Sequence, residues 1–300
     1  MSTKKTSHLE RTAAEPREKE LYETRLARVD QVNERVRLFR LELLSGPISF
    51  LPGQWLDTFV PGTPKAGGFT ITSPPSAASA ARQHPYLELA VQESPDNAPA
   101  AWLWRPRDEI LGATVKVRVG GSFVFPPPAW ASWEEGGRTR SRRKLVLVAG
   151  GVGVNPLMSM LSHIGERTEE LRGLEVEMAY GSRMSSGDLG EIVFLDRITR
   201  LFGEGKIRGS VSLFVTGTSA DGIPETGRRH INGAEVEVHR RRLTIEDLRP
   251  WVAIDGETVE STMVFLCGPP TMTDELAARL TSKDDGLGMD PEHVLTEKWW

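Results

Sequence analysis

Gly150, Gly151 and Gly153, in 147-LVAGGVGVNPLMSML-161, end a short apolar run and open a stretch of helical character. Small residues at such a turn let a backbone approach a phosphate, while the exposed N–H groups and helix dipole attract its charge. The usual G-x-G-x-x-G fingerprint places a third glycine where this chain has Pro156. Proline suits the first turn of a helix, because it lacks an N–H that would go unpaired there and its φ is already helical. Residues 150-GGVGVNP-156, with Val154, Asn155 and Pro156 leading into the helix, therefore read as a phosphate-binding turn. Taken alone they read equally well as a plain strand-to-helix turn.

A second strand end carries a similar signal. At 264-VFLCGPPTM-272 an apolar run stops at Cys267, Gly268 and Pro269, and a helical stretch follows. Two such ends in one parallel sheet open on its carboxyl edge, where ligands collect in open α/β sheets. A third stretch, 178-MAYGSRM-184, adds Tyr180, a glycine and Arg183. Cys267 is the only cysteine, which rules out an intramolecular disulfide framework and any four-thiolate zinc or iron–sulfur centre. The histidines are scattered without metal-ligand spacing, so no metal site is expected. No Tyr-x-x-x-Lys pair or comparable acid–base set appears.

These loops need a sheet to position them. Leu145 to Val148, Val176 to Tyr180, Val211 to Val215 and Val264 to Leu266 are short apolar strands. Helical stretches at Pro156 to Ile164, Ile192 to Phe202 and Thr273 to Leu280 alternate with them, which indicates a doubly wound parallel sheet. Residues 217–242 are polar, with Arg228, Arg229 and Arg240 to Arg242, and read as a surface excursion. The first half has a different texture. Val36 to Leu44, Trp55 to Val60, Tyr86 to Val91 and Val115 to Val119 are short strands, broken at Pro52-Gly53, Pro61-Gly62, Gly67-Gly68 and Pro74-Pro75. That pattern suits an antiparallel sandwich or barrel. The expected layout is a tail over 1–22, a barrel over 23–128, a Pro/Gly-rich linker over 129–143 and a nucleotide-binding domain over 144–300.

Composition narrows the function classes. Three hundred residues, 39% apolar, can build two ordinary cores. A charged content of 26% and a net charge of −4 point away from disorder and from a nucleic-acid footprint. No apolar run reaches the ~20 residues needed to span a bilayer. The first twenty residues lack an apolar stretch and mix both signs of charge, so they read as a disordered tail, not a secretory signal. The expected location is inside the cell, with cytosol and mitochondrion both open.

The two loops GGVGVNP and CGPP follow a half containing PGQW (52–55) and GFTITSPP (68–75). Together with 117-VRVGGSFVF-125, 179-AYGSR-183 and the terminal 297-EKWW-300, this motif order resembles the ferredoxin–NADP reductase superfamily. Within it, the chain is most similar to the oxidoreductase NAD-binding domain-containing branch, over roughly residues 23 to 300. The resemblance implies a six-stranded antiparallel flavin-binding barrel followed by a doubly wound nicotinamide-nucleotide domain. It implies FAD, or FMN, in the first and NAD or NADP in the second. It further implies hydride transfer from nicotinamide to flavin N5, then electron transfer to an external acceptor, since one cysteine cannot hold an iron–sulfur relay.

By the same resemblance Phe69 takes the place of an aromatic packed on flavin, and Thr70 that of a hydroxyl near N5. Ile71, Thr72 and Ser73 complete the flavin strand. Cys267 takes the place of a cysteine beside nicotinamide C4, shaping and polarising the hydride-transfer site. Arg183 takes a ribose or 2′-phosphate contact, and one of Trp299 and Trp300 covers the flavin face. Two positions depart from the family pattern. Gly67 stands where an arginine holds flavin phosphate, and 95-PDNAPAAW-102 offers Asn97 and Ala100 where a glycine and a hydroxyl residue are usual. One lost charge-assisted contact is worth about 1.5–3 kcal/mol, or one to two orders of magnitude in affinity. Lys65, Arg105 or Arg107 are candidate substitutes. Two other readings compete: a nucleotide-binding module that has lost flavin, and a flavin-free dehydrogenase.

Overall fold

Strand β1 (Tyr22–Asn33) turns Thr24, Leu26 and Val29 inward, and β2 (Val36–Leu43) turns in Val36, Phe39, Leu41 and Leu43. The two-residue period of β1 breaks between Leu26 and Val29 because the ladder to β2 shifts register there, as a bulge does. Strands β3 (Trp55–Phe59), β4 (Gly67–Thr70), β5 (Tyr86–Gln92) and β6 (Thr114–Gly120) complete an antiparallel six-stranded sheet in the order β4-β3-β6-β1-β2-β5. An Ile71–Leu89 bridge and a bond from Thr72 N–H to the Glu88 carbonyl (2.8 Å) join the two edge strands and close the barrel. Leu26, Phe39, Leu56, Leu87, Leu89 and Val117 fill it, each excluded from solvent. Each contributes about 1.5–3 kcal/mol by burial.

This computed structural model describes residues 7–130, 143–217, 226–252 and 262–298. Contacts divide the chain into two units, Met1–Phe125 and Pro126–Trp300. The first unit begins earlier than the sequence pattern implies. Residues 7–21, expected to be a disordered tail, form a helical turn, α1 (His8–Arg11), and an extended strap. Ser7 and Glu10 close a capping box on α1, and the strap bonds to the barrel through the Glu18 N–H to the Val119 carbonyl and the Gly121 N–H to the Pro16 carbonyl. The strap is polar because hydrogen bonds and ion pairs, not apolar burial, hold it. Two further short helices, α2 (Ala98–Leu103) and α3 (Arg107–Ile110), lie between β5 and β6.

In the second unit, apolar runs become strands covered on both faces. Strands β7 (Arg143–Gly150) and β12 (Thr262–Gly268) have almost no solvent-facing residue, as a parallel sheet covered on both sides requires. With β8 (Leu174–Arg183), β9 (Gly209–Thr216), β10 (Thr226–Ile231), β11 (Ala234–His239) and β13 (Val294–Lys298) they form a seven-stranded sheet, β10-β11-β9-β8-β7-β12-β13. All neighbours are parallel except the β10–β11 hairpin. Helices α4 (Val154–Gly165), α5 (Leu195–Gly203), α6 (Ile245–Val252) and α7 (Pro270–Thr281) accompany the strands.

The reading of 217–242 as a surface excursion is corrected: β11 lies inside the sheet, pairing in parallel with β9. Its Val236 and Val238 are fully buried while Glu235 and Glu237 face out. The alternation A-E-V-E-V-H is a strand signal that the surrounding arginines obscure. Of the expected linker over 129–143, residues 131–142 lie outside the described residues. Trp130, buried at its start, carries the Arg143 guanidinium 4.7 Å from its ring centroid. No helix among the described residues is long and apolar enough to cross a membrane.

Candidate functional site

Strand register brings three glycines to one level of the carboxyl edge. Gly150 on β7 pairs with Gly181 on β8, and Cys267, one residue before Gly268, pairs with Ala149, one residue before Gly150. The turn between β7 and α4 divides its work between two further glycines. Gly151 has φ +54° and nothing within 4 Å of the place a Cβ would occupy, so its outer face is open. Gly153 is the opposite case. A Cβ there would lie 2.1 Å from the Cys267 carbonyl oxygen and 2.8 Å from the Gly268 nitrogen. Gly153 thus performs the close helix–strand packing that the ordinary fingerprint assigns to its third glycine, which frees position 156 for proline.

Pro156 sits in the first turn of α4, behind Val154 and Asn155, and all three are buried. Their side chains pack the helix start, and the exposed backbone is that of Gly151. Cys267 is fully buried at the end of β12, with Gly268 beside it and Pro269 exposed. Met272, in the CGPPTM stretch, gains its role only from the structure. Its Sδ and Cε cover the Gly150 and Gly268 faces, within 3.0 Å of where Cβ atoms would stand. The signal was its place in the first turn after CGPP, one helical turn from the strand end.

Tyr180, expected at the cofactor, lies in the core. Its ring is 1% exposed and its hydroxyl donates to the Val193 carbonyl at 3.2 Å, which ties β8 to the segment before α5. Burial raises its phenol far above the usual value, so it stays protonated. Arg183 does reach solvent, at the last position of β8. Trp299 and Trp300 lie outside the described residues.

In the barrel, Phe69, Thr70, Ile71, Thr72 and Ser73 run along β4 into the closure, all buried. Thr72 Oγ1 donates to Glu88 Oε1 (3.0 Å) and Ser73 Oγ accepts from the Glu88 N–H (3.1 Å), so these two hydroxyls hold β5. Thr70 differs from them. Its Oγ1 is buried and makes no hydrogen bond with a described residue, although it is only 2% exposed. A buried hydroxyl without a partner costs about 1–3 kcal/mol, a cost that a ligand acceptor or donor removes.

Gly67 has no room for a side chain: a Cβ would meet the Phe69 ring and Pro99 Cβ, each at 2.7 Å. The Phe69 ring and α2 fill the space through which an arginine would extend. At the next turn Asn97 caps α2 and accepts the Ala100 N–H at 3.4 Å. Neither of the phosphate contacts expected of the family is therefore built from these residues. A groove of about 540 Å³ runs beside α2, lined by Thr63, Trp102 and Arg105 among others. Arg105 is exposed there and forms no ion pair with a described residue, whereas Lys65 and Arg107 do not line it.

No protein-family model matches the chain. Over 304 residues it is 31% identical to oxidoreductase NAD-binding domain-containing protein 1 of Danio rerio, covering 100% of this chain and 99% of that protein. It is 26% identical to the reductase component of propane 2-monooxygenase of Mycolicibacterium goodii, over 76% of this chain and 54% of that one. Among solved structures, the ferredoxin reductase in carbazole 1,9a-dioxygenase superposes with TM-score 0.63 at 17% identity, covering 94% of this chain and 70% of that one. A ferredoxin NADP+ reductase from Neisseria gonorrhoeae, with bound FAD and NADP, superposes with TM-score 0.60 at 18% identity, covering 94% and 100%.

Proposed function

The chain belongs to the oxidoreductase NAD-binding domain-containing protein 1 family, and from that premise we propose that it is a flavin-dependent NAD(P)H oxidoreductase serving an external electron acceptor. The observation that carries this reading is the open face of Gly151, flanked along one sheet edge by Gly150, Gly181 and Gly268. Backbone N–H groups at that turn suit the pyrophosphate of a dinucleotide. In the barrel, the buried Thr70 hydroxyl, without a partner among the described residues, suits the polar edge of a flavin ring. Bound together, the two groups supply hydride transfer from nicotinamide C4 to flavin N5 and onward delivery of the electrons.

In this reading residues 23–128 hold the flavin and 144–300 the nucleotide, with 129–143 joining them. The chain's residues bind, orient and exclude water. Gly151 admits the pyrophosphate to the backbone. Cys267 and Gly268 shape the floor beneath the nicotinamide, and Arg183 meets the ribose or its 2′-phosphate. Thr70 orients the flavin ring, Phe69 backs it, and Arg105 takes over phosphate contact in the groove beside α2.

A second reading, a nucleotide-binding module without flavin, draws on one specific observation: Phe69 and Pro99 fill the space beside Gly67. Absorbance spectroscopy separates the two. Purified chain incubated with FAD or FMN, then freed of unbound flavin by gel filtration, retains a flavin absorbance band that NADH or NADPH bleaches anaerobically. A chain that binds nucleotide but retains neither flavin, nor passes electrons to a dye, supports the module and overturns the oxidoreductase.

A further inference from the structure

The N-terminal strap reaches the strand that carries Thr70. Asp57, fully buried on β3, is the anchor. Its Oδ1 lies 3.0 Å from His8 Nε2, and its Oδ2 accepts from Arg17 Nε (3.1 Å) and from Arg118 Nε (2.9 Å) and Nη2 (2.6 Å). Two of those three partners, His8 and Arg17, belong to the strap. The His8 imidazole also occupies the face of Gly68 on β4, 2.1 Å from where a Cβ would stand, and meets Trp55 edge-on at 4.7 Å. Trp55 in turn pairs directly with Thr70. Farther along, Glu15 accepts from both the Ser122 N–H (3.0 Å) and the Ser122 hydroxyl (2.6 Å), just past β6.

None of the strap's residues belongs to the apolar core of the barrel. A segment held mainly by polar contacts, outside the core, opens at lower cost than the core unfolds. A segment needed only to complete the barrel would bury apolar side chains; this one places an imidazole against Gly68 of β4 and a carboxylate on the turn at Ser122. We propose that residues 7–18 are a positioning strap, in which His8 and Glu15 set β4 and the Gly120–Ser122 turn so that Thr70 meets the flavin. The inference rests on the flavin reading above. His8 acts through Gly68 and Trp55, and Glu15 through Ser122; neither touches the cofactor.

The test compares the full-length chain with His8→Ala and Glu15→Ala. Both residues lie outside the core, so folding is retained, and the melting temperature of the second unit serves as control. Amide exchange is read without ligand at Gly68–Thr70 and at Ser122, and FAD titration is read separately. Local exchange is expected to rise about tenfold, as loss of a charge-assisted hydrogen bond implies. FAD dissociation is expected to weaken several-fold with turnover per bound flavin unchanged, and Glu15→Gln, which keeps an acceptor oxygen, to recover part of the loss. Unchanged local exchange overturns the proposal, as does faster exchange with unaltered FAD affinity. A wild-type chain that binds no flavin sinks the oxidoreductase reading instead, and exchange at Gly68–Thr70 then decides the strap's hold on β4 by itself.

Discussion

Replacing each glycine of the β7–α4 turn by alanine separates its packing from its chemistry. In Gly153→Ala the new methyl would start 2.1 Å from the Cys267 carbonyl oxygen and 2.5 Å from its carbon, both backbone atoms of β12. No flexible side chain can yield there, so either α4 or the end of β12 must move. Overpacking of this kind costs about 1–3 kcal/mol. For a unit the size of residues 126–300, each kcal/mol lowers the melting temperature by about 2–4 °C, so a fall of about 2–12 °C is expected. Gly151→Ala meets no atom within 4 Å, and its cost is the left-handed φ of +54°, about 1–2 kcal/mol. Its methyl, however, would stand where the proposed reading brings the pyrophosphate. Calorimetry paired with NADH and NADPH titration should therefore give opposite rankings: Gly153→Ala the larger thermal loss, Gly151→Ala the larger loss of affinity relative to its thermal loss. If Gly153→Ala melts like the parent chain, or Gly151→Ala binds nucleotide unchanged, the division of labour assigned to this turn is wrong.

Thr70→Val removes a hydroxyl that no described residue satisfies, so the melting temperature should hold or rise while flavin affinity or reduction rate drops about five- to tenfold; equal loss of both would mark Thr70 as structural. Tyr180→Phe deletes the bond to the Val193 carbonyl and should cost about 0.5–1.5 kcal/mol in thermal unfolding with the Michaelis constant for NAD(P)H unaltered. For Asp57, burial pushes the carboxyl upward, but the bonds from His8 and Arg118 and the charge of Arg17 outweigh it and hold the group below its usual value. Its stabilisation is thus complete above about pH 3.9 and is lost as pH falls through the lower folded value; acid melting of Asp57→Asn should lack that component. Burial, and then Arg167, pull His163 down to about 4, so the unfolded chain gains a proton near pH 6.5 that the fold refuses. Stability should fall between about pH 6.5 and 4, and His163→Gln should flatten the slope.

What the sequence made legible was whatever local chemistry repeats. Four apolar runs announced four parallel strands because burial on both faces leaves no other composition for them. The glycine turns announced the sheet's carboxyl edge because only small residues permit backbones to touch there, as Gly153 and Cys267 do. Strand β1 escaped notice because its bulge between Leu26 and Arg28 breaks the alternation a reader would count. Strand β11 escaped because arginines on either side masked the period of Val236 and Val238. Tyr180 was misplaced for a different reason. An aromatic next to a glycine at a strand end looks the same whether it faces a ligand or, as here, a carbonyl thirteen residues ahead. The strap was hidden most completely, since MSTKKTSHLERTAAEPREKE has the composition of a solvated tail. Its order comes from Asp57, a residue some forty positions later that stays charged in a buried site only when cations such as Arg17 and Arg118 face it. Polar segments of this kind are recruited by the charge they must neutralise. A buried carboxylate in a barrel strand is therefore itself a reason to search the chain's termini for its partners.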